Sequence, residues 1–214
     1  MSFDTLAPFY RSMELVTAGG MLQRCRTAYL AAVTDCRRAL LLGEGPGRFL
    51  VALLRANPQV EVWCVEQSAG MIRAARRELE RQGLTAARVT FAQQDALRWQ
   101  PPRAPFDLVV THFFLDCFRR EELAQLIPKI ATSATSEARW LLADFRLPER
   151  GWQRWRARAV LALMYAFFRS VTGLSAARLT PPDEFLEAGG FRRAERRLVN
   201  FGLAHADLWR RTTL

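Results

Sequence analysis

A short glycine-rich segment is the feature that most limits how this sequence can fold. Residues 39–50 read A-L-L-L-G-E-G-P-G-R-F-L, an apolar run that stops at Gly43, Gly45 and Gly47 and then continues in a helical pattern. Glycine lets the backbone adopt positive φ and approach a ligand closely, and the N–H groups that open a helix attract negative charge. The pattern therefore predicts a strand, a cofactor-binding loop and a helix.

Two acidic residues follow later apolar runs. Residues 60–65 lead into Glu66, at the distance where nucleotide-binding α/β folds place a carboxylate for ribose hydroxyls. Residues 88–92 precede Asp95, so we expect the loop, Glu66 and Asp95 to meet at one edge of a parallel sheet. Arg48 stands where a dinucleotide fingerprint has its third glycine, which disfavours a nicotinamide-dependent oxidoreductase.

The chain resembles the class I S-adenosylmethionine-dependent methyltransferases in four segments that follow the order of that family. They read L-L-L-G-E-G-P-G-R-F-L, V-E-Q-S-A-G-M-I-R-A-A, Q-Q-D-A-L and F-D-L-V-V-T-H-F-F-L-D, and the resemblance covers about residues 39–144. It implies S-adenosylmethionine as cofactor and S-adenosylhomocysteine as product. It also implies an α/β, Rossmann-like fold, a mostly parallel seven-stranded sheet with helices on both faces and the last strand antiparallel.

The resemblance further implies which residues contact the cofactor. Glu66 would bind the ribose, Met71 would lie against the adenine, and the backbone at Thr111 would line the site. The expected cofactor-binding residues are Gly43, Glu44, Gly45, Gly47, Glu66, Gln67, Met71, Asp95, Ala96 and Thr111. The family usually has an acid two residues before the first glycine, where this chain has Leu41, and Glu44 is the candidate replacement.

Two residues are candidates for contact with the methyl acceptor. His112 ends the predicted fourth strand, where open α/β sheets place ligand-contacting groups, and it could be a base, a substrate contact or a buried histidine bonded to a backbone carbonyl. Tyr10 matches the place where related enzymes lay an aromatic ring over the donor, although simple packing explains it equally well. Asp116 could cap the following helix. The two histidines, His112 and His205, have no clustered partners, so no metal site is expected.

With 214 residues, half of them hydrophobic, the chain is expected to form a single domain. The expected divisions are an N-terminal helical cover (1–38), a cofactor-binding core (39–144), substrate-cover helices (145–190) and a terminal β-hairpin (191–214). A helix is predicted over about 13–33. Strands are predicted near 39–43, 60–65, 88–92, 106–111 and 138–144.

The chain is strongly basic, with a formal charge of +10, and of its 31 basic residues only Lys129 is lysine. Such a charge suits nucleic acid, an anionic membrane or an acidic substrate, although an arginine-rich coding bias also explains it. Residues 152–173 are basic and then apolar, which predicts a buried core helix, a substrate cover or an interfacial helix. The start has no secretory pattern and the four cysteines have no C-x-x-C spacing, so a cytoplasmic location is predicted.

The leading hypothesis is methyl transfer to a nucleophile of a small acceptor, apolar, aromatic or lipid-like. An RNA or protein methyltransferase is an alternative suggested by the charge, but the strand end T-H-F-F lacks the N/D-P-P-Y type of motif. A non-catalytic protein that binds S-adenosylmethionine is a third hypothesis, suggested by Leu41. Nucleic acid is the disfavoured partner, peripheral membrane contact remains open, and the sequence assigns neither the acceptor nor the oligomeric state.

Overall fold

A computed structural model describes residues 20–102, 105–172, 176 and 178–212, and seven strands in these residues form one sheet. The strands are β1 (Arg38–Leu42), β2 (Glu61–Glu66), β3 (Val89–Gln93), β4 (Phe106–His112), β5 (Ala134–Phe145), β6 (Phe191–Val199) and β7 (Ala204–Arg211). Their order across the sheet is β3-β2-β1-β4-β5-β7-β6.

The first five strands are parallel, and β7 runs antiparallel to both β5 and β6. Leu42, the last residue of β1, lies opposite Val65 in β2 and Thr111 in β4. The carboxyl ends of these strands therefore meet at one edge of the sheet, where ligands bind in open α/β folds. The predicted fold class, mostly parallel with an antiparallel last strand, is confirmed.

Helices cover both faces of the sheet. They are α1 (Met21–Thr27), α2 (Arg48–Ala56), α3 (Ala69–Arg81), α4 (Arg120–Thr132), α5 (Gly151–Thr172) and α6 (Asp183–Ala188), with 3₁₀ turns at Leu30–Val33 and Leu115–Cys117. Alternate residues of β1 enter different cores: Ala39 and Leu41 pack on the face covered by α1, α2 and α3, and Leu40 and Leu42 on the face covered by α4 and α6. Because both faces of β1 are covered, its sequence is continuously apolar.

The helix predicted over 13–33 does not continue to its expected end. Within the described residues α1 stops at Thr27, and a separate 3₁₀ turn follows at Leu30–Val33. Ala28 donates its N–H to the Cys25 carbonyl at 3.3 Å, which tightens the last turn, and the buried side chain of Tyr29 follows at once. Tyr29 and Val33 both pack in the core despite this break in the helix.

Helix α5 buries only a narrow stripe of its surface. Ala157, Leu161 and Tyr165 are buried, whereas Trp155 and Leu163 are 71% and 75% exposed. The interpretation of this segment as a buried core helix is therefore wrong, and its possible contact with a substrate or a membrane surface stays a prediction. In the part of the chain that the structure describes, no helix has the length and apolarity needed to cross a bilayer.

The tight packing of the glycine loop against α3 gives the first prediction. Gly47 has φ +85°, and a Cβ added there would lie 3.0 Å from the Ala75 backbone. We expect Gly47→Ala to lower the free energy of unfolding by about 2–4 kcal/mol, because left-handed strain and a steric clash add. Urea denaturation measures the loss.

Gly83 provides the matched control, since it also has positive φ (+68°) but no atom lies within 4 Å of an added Cβ. Gly83→Ala should lose only the backbone term, about 1–2 kcal/mol. Equal losses for the two variants would show that the contact with Ala75 does not restrict residue 47.

Candidate active site

The glycine loop connects β1 to α2 at the carboxyl edge of the sheet. Gly43, Gly45 and Gly47 have φ values of 66°, 64° and 85°, in the region that favours glycine. Gly43 donates its N–H to the Val65 carbonyl at 2.9 Å, and a Cβ there would lie 2.3 Å from the Phe114 ring. No other residue type fits at position 43 without moving that ring.

The Glu66 carboxylate lies beside this loop. Its oxygens accept hydrogen bonds from the Gly45 N–H at 3.1 Å and from the Ser68 N–H at 2.9 Å. These two backbone donors orient the carboxylate. Glu66 is thereby fixed at the end of β2, within one hydrogen bond of the loop.

The loop residue Glu44 turns toward the helix that follows it. Its Oε1 accepts from the Phe49 and Leu50 N–H groups at 2.8 and 2.9 Å, in the first turn of α2. Burial raises the pKa of Glu44 to about 7, although these two hydrogen bonds act to lower it. Leu41, at the position of the family's usual acid, is fully buried in the apolar core. The structure thus gives Glu44 a helix-capping role, and its contact with a cofactor stays a prediction.

The turns after β2 and β3 carry the residues predicted for the adenine side. Met71 is buried in α3, and its N–H donates to the Ser68 hydroxyl at 3.1 Å, whereas Gln67 is exposed. Asp95 accepts the Leu97 N–H at 2.9 Å, and Ala96 is buried beside it. The structure places these residues at the same edge of the sheet as Glu66.

The turn that holds Asp95 is tied to α4 by Lys129. The ammonium of Lys129 donates to the carbonyls of Ala96, Leu97 and Trp99 at 3.2, 2.5 and 3.3 Å. A cation that meets three carbonyls satisfies all three of its donors. The chain's only lysine therefore fixes the backbone next to a predicted cofactor contact.

The end of β4 contributes Thr111 and His112. The Thr111 hydroxyl accepts from Trp140 Nε1 at 2.8 Å inside the core, which leaves its backbone as the part suited to a ligand. His112 is buried with its ring 4.6 Å from that of Phe49, and its Nδ1 has no hydrogen-bond partner among the described residues. Burial lowers the pKa of His112 well below its usual value, so the ring is neutral at pH 7. Tyr10 lies outside the described residues.

Two buried carboxyl groups, which the sequence did not predict as a pair, lie after β4 and near the end of β5. Asp144 near the end of β5 is 1% exposed, and Asp116 after β4 is 5% exposed. The two groups are close enough for the charge of one to affect the pKa of the other, and neither carboxyl oxygen of Asp144 has a hydrogen-bond partner among the described residues. Burial raises the pKa of both groups, and the charge of Asp116 raises that of Asp144 further. The sequence signal that could have identified Asp144 is the one that identified Glu66, an acid at the carboxyl end of a predicted strand.

Asp116 does not cap the next helix. Arg119 precedes the first residue of α4, and its N–H donates to the Glu122 carboxylate at 2.8 Å. The helix N-terminus is therefore closed by Glu122, and the alternative interpretation of Asp116 is wrong. Groups of three or more side chains able to ligate a metal do not occur among residues 20–102, 105–172, 176 and 178–212.

Comparisons with known proteins show that the chain is similar to methyltransferases. A family model described as a methyltransferase domain matches residues 39–136. Two demethylmenaquinone methyltransferases are similar in sequence. That of Roseiflexus is 32% identical over 53% of this chain and 46% of its own length, and that of Deinococcus radiodurans is 28% identical over 70% and 61%. The matched region thus spans about half of these relatives.

Among solved structures, a Burkholderia thailandensis N1-methyltransferase has the same fold. It was crystallised with 1,6-didemethyltoxoflavin and S-adenosylhomocysteine. The TM-score is 0.68 at 16% identity, and the match covers 98% of this chain and 86% of the other. At this identity the likeness concerns the fold alone.

The raised pKa of Glu44 gives a prediction for stability. Because this pKa is about 7 instead of the ordinary 4.5, the folded protein keeps a proton that the unfolded chain releases, so stability falls as pH rises from about 4.5 to 7. Glu44→Gln keeps an oxygen that can accept from the first turn of α2. We expect this variant to gain about 1–3 kcal/mol relative to the unmodified protein between pH 5 and pH 8, since one pKa unit is about 1.4 kcal/mol.

Urea denaturation of both proteins at several pH values measures this gain. Glu61→Gln, an exposed glutamate at the opposite end of β2, is the control and should show no such trend. Parallel pH dependences for Glu44→Gln and the unmodified protein would contradict the prediction.

Proposed function

We propose that this chain, which belongs to the class I S-adenosylmethionine-dependent methyltransferase family, transfers a methyl group from that cofactor to a nucleophilic atom of a small-molecule acceptor. The observation that carries the proposal is the meeting of three features at one sheet edge: the glycine loop after β1, the Glu66 carboxylate after β2 and the Asp95 turn after β3. Each is placed by the end of a parallel strand.

The residues present fit the cofactor. A Cβ added to Gly45 would meet no atom within 4 Å, so the loop presents open space beside Glu66. In this proposal the Glu66 carboxylate accepts hydrogen bonds from the ribose hydroxyls, and Met71 with the Asp95–Ala96 turn contacts the adenine. When bound, S-adenosylmethionine supplies an electrophilic methyl group on its sulfonium. The backbone at Thr111 and the side chain of His112 then border the side on which an acceptor approaches.

Methyl transfer to a hydroxyl or an ammonium group also requires a proton acceptor. His112 is a weak base, because burial lowers its pKa well below the usual value. Burial raises the pKa of Asp116 and of Asp144, so a carboxylate of this pair is a stronger base than an ordinary aspartate. We therefore assign proton removal from the acceptor to this pair, with His112 as a neutral contact.

A small-molecule acceptor is favoured over RNA or protein. The names of the two curated relatives and of the Burkholderia enzyme specify methyl transfer to small molecules. Several arginines of this chain are paired with carboxylates, as Arg139 is with Asp35 and Arg196 with Asp207. Paired arginines contribute less to nucleic-acid binding than a free basic patch does. The four cysteines are unpaired, which fits a reducing compartment such as the cytoplasm.

Loss of the Glu66 carboxylate tests the cofactor site. We expect Glu66→Ala to weaken binding of S-adenosylhomocysteine at least tenfold. The substitution removes the carboxylate that would contact the ribose, together with the acceptor of the hydrogen bonds from the Gly45 and Ser68 N–H groups. Isothermal titration calorimetry measures the affinity. Glu66→Gln keeps one acceptor oxygen and should show a smaller loss.

Glu61→Ala is the matched control, since Glu61 begins the same strand at the opposite edge of the sheet. Its affinity for S-adenosylhomocysteine should equal that of the unmodified protein. Unchanged affinity in Glu66→Ala would refute the assigned cofactor geometry.

The carboxyl pair is tested by Asp144→Asn. In the unmodified protein, carbon-13 NMR of labelled aspartates should reveal a carboxyl that titrates well above the ordinary range, because burial and the nearby charge of Asp116 raise the pKa of Asp144. The amide in Asp144→Asn donates to Asp116 permanently, so the pKa of Asp116 should fall. Methyl transfer to phenolic acceptors should then slow at least tenfold, with unchanged binding of S-adenosylhomocysteine. An unaltered rate would return the proton-acceptor role to His112.

A further inference from the structure

A cavity of about 590 Å³ opens beyond the ends of β5 and β7. Its walls come from the segment after β5, one side of α5, the segment before α6, and single residues of β6 and β7. The volume lies within the range of small-molecule sites, roughly 300–1,000 Å³. The cavity is at the same sheet edge as the glycine loop, on the far side of the carboxyl pair from Glu66.

His205 is a buried polar group in the wall of this cavity. It is 4% exposed and lies directly opposite Asp144 in the β5–β7 ladder. Neither ring nitrogen has a hydrogen-bond partner among the described residues, and Nε2 is 3.8 Å from the nearest oxygen of Asp207. Burial lowers the pKa of His205 to about 4, so the neutral ring offers one donor and one acceptor. Buried polar groups are rarely left unpaired, so this side chain indicates a ligand.

The charged residues around the cavity leave an excess of positive charge. Arg196 hydrogen-bonds Asp207 and Asp183 at 2.6 and 3.0 Å, and Arg193 also pairs with Asp183, so the charges of these two arginines and two carboxylates cancel. The remaining charged lining residues are Arg146, Arg158, Arg178 and Glu149. Within the described part of the chain, none of these three arginines has a carboxylate within 4 Å, which leaves two uncompensated positive charges.

Arg146 is the best placed of these arginines to meet a ligand. It is half-buried, directly follows β5, and lies close enough to His205 for its charge to lower the pKa of that ring. Arg158 reaches the cavity from α5, on a different wall. The rest of the lining includes Phe145, Leu161, Tyr165 and Leu179, which suit an apolar ring system.

We propose that this cavity binds the methyl acceptor, and that the acceptor is an aromatic acid whose carboxylate pairs with Arg146 and Arg158 while His205 hydrogen-bonds a polar substituent of its ring. The inference rests on the proposed function and specifies the substrate class of that site. Arginine is suited to this task because its planar guanidinium matches a carboxylate in two parallel hydrogen bonds. The apolar walls would hold the ring beside the Asp116–Asp144 pair.

Two probes that differ by one carboxylate group test the inference. The full chain, saturated with S-adenosylhomocysteine, is titrated calorimetrically with 1-hydroxy-2-naphthoate and with 1-naphthol. We expect the acid to bind at least tenfold more tightly, and its advantage to shrink when the salt concentration rises from 50 to 300 mM. Arg146→Gln should reduce the advantage to threefold or less without changing the affinity for 1-naphthol.

Arg150→Gln is the matched control, because Arg150 is exposed in the same segment and does not line the cavity. It should keep the full preference for the acid. Arg158→Gln, on a separate element, is the second variant and should also lower the preference, so the test does not depend on the folding of one protein. Circular dichroism verifies the fold of each.

Equal binding of the two probes, tighter binding of 1-naphthol, absence of binding by either, or a preference that survives both arginine substitutions would overturn the inference. Binding of S-adenosylhomocysteine is measured first and separately. If it binds and the acid shows no preference, the proposed function stands and the substrate class is wrong. If S-adenosylhomocysteine fails to bind, the proposed function is refuted. The titration with 1-hydroxy-2-naphthoate is then repeated without S-adenosylhomocysteine, and it still measures how far binding in the cavity depends on the arginines.

Discussion

The burial of β1 on both faces is the constraint on which the rest of the structure depends. Its residues 39–42 are at most 1% exposed, and they pair with β2 on one side and β4 on the other. A charged group inside this strand would be surrounded by hydrocarbon at a cost of several kcal/mol. The polar groups of the site therefore lie after the strand, where the backbone leaves the sheet at Gly43.

This constraint explains why the two acids Glu44 and Glu66 come after their strands and not within them. Leu41 occupies a place in the apolar core where a carboxylate would lack partners, whereas Glu44 lies three residues further on and finds two backbone donors. Glu66 likewise follows its strand and is held by two N–H groups. In both cases backbone donors orient the acid, so its position follows the course of the main chain.

The features that could be predicted are those that depend on residues close together in the sequence. The glycine loop, the strands that precede Glu66 and Asp95, and the class of the fold follow from local patterns of apolar residues and turns. The Asp116–Asp144 pair depends instead on how the turn after β4 packs beside β5, and the position of His205 depends on the register between β5 and β7. The end of α1 at Thr27 was also missed, because the buried residues Cys25, Tyr29 and Val33 have the spacing of one continuous helix face, which does not indicate the break.

Because of its three hydrogen bonds, Lys129 is protected from chemical modification as long as the turn that it contacts stays closed. Its ammonium is the only lysine amine in the chain, and it is held by the turn that carries Asp95 and Ala96. Reagents that modify amines need a free lone pair, which an ammonium bound to three carbonyls does not offer. The rate of acylation or reductive methylation at this single side chain would therefore report the opening of one defined turn, with no engineered label.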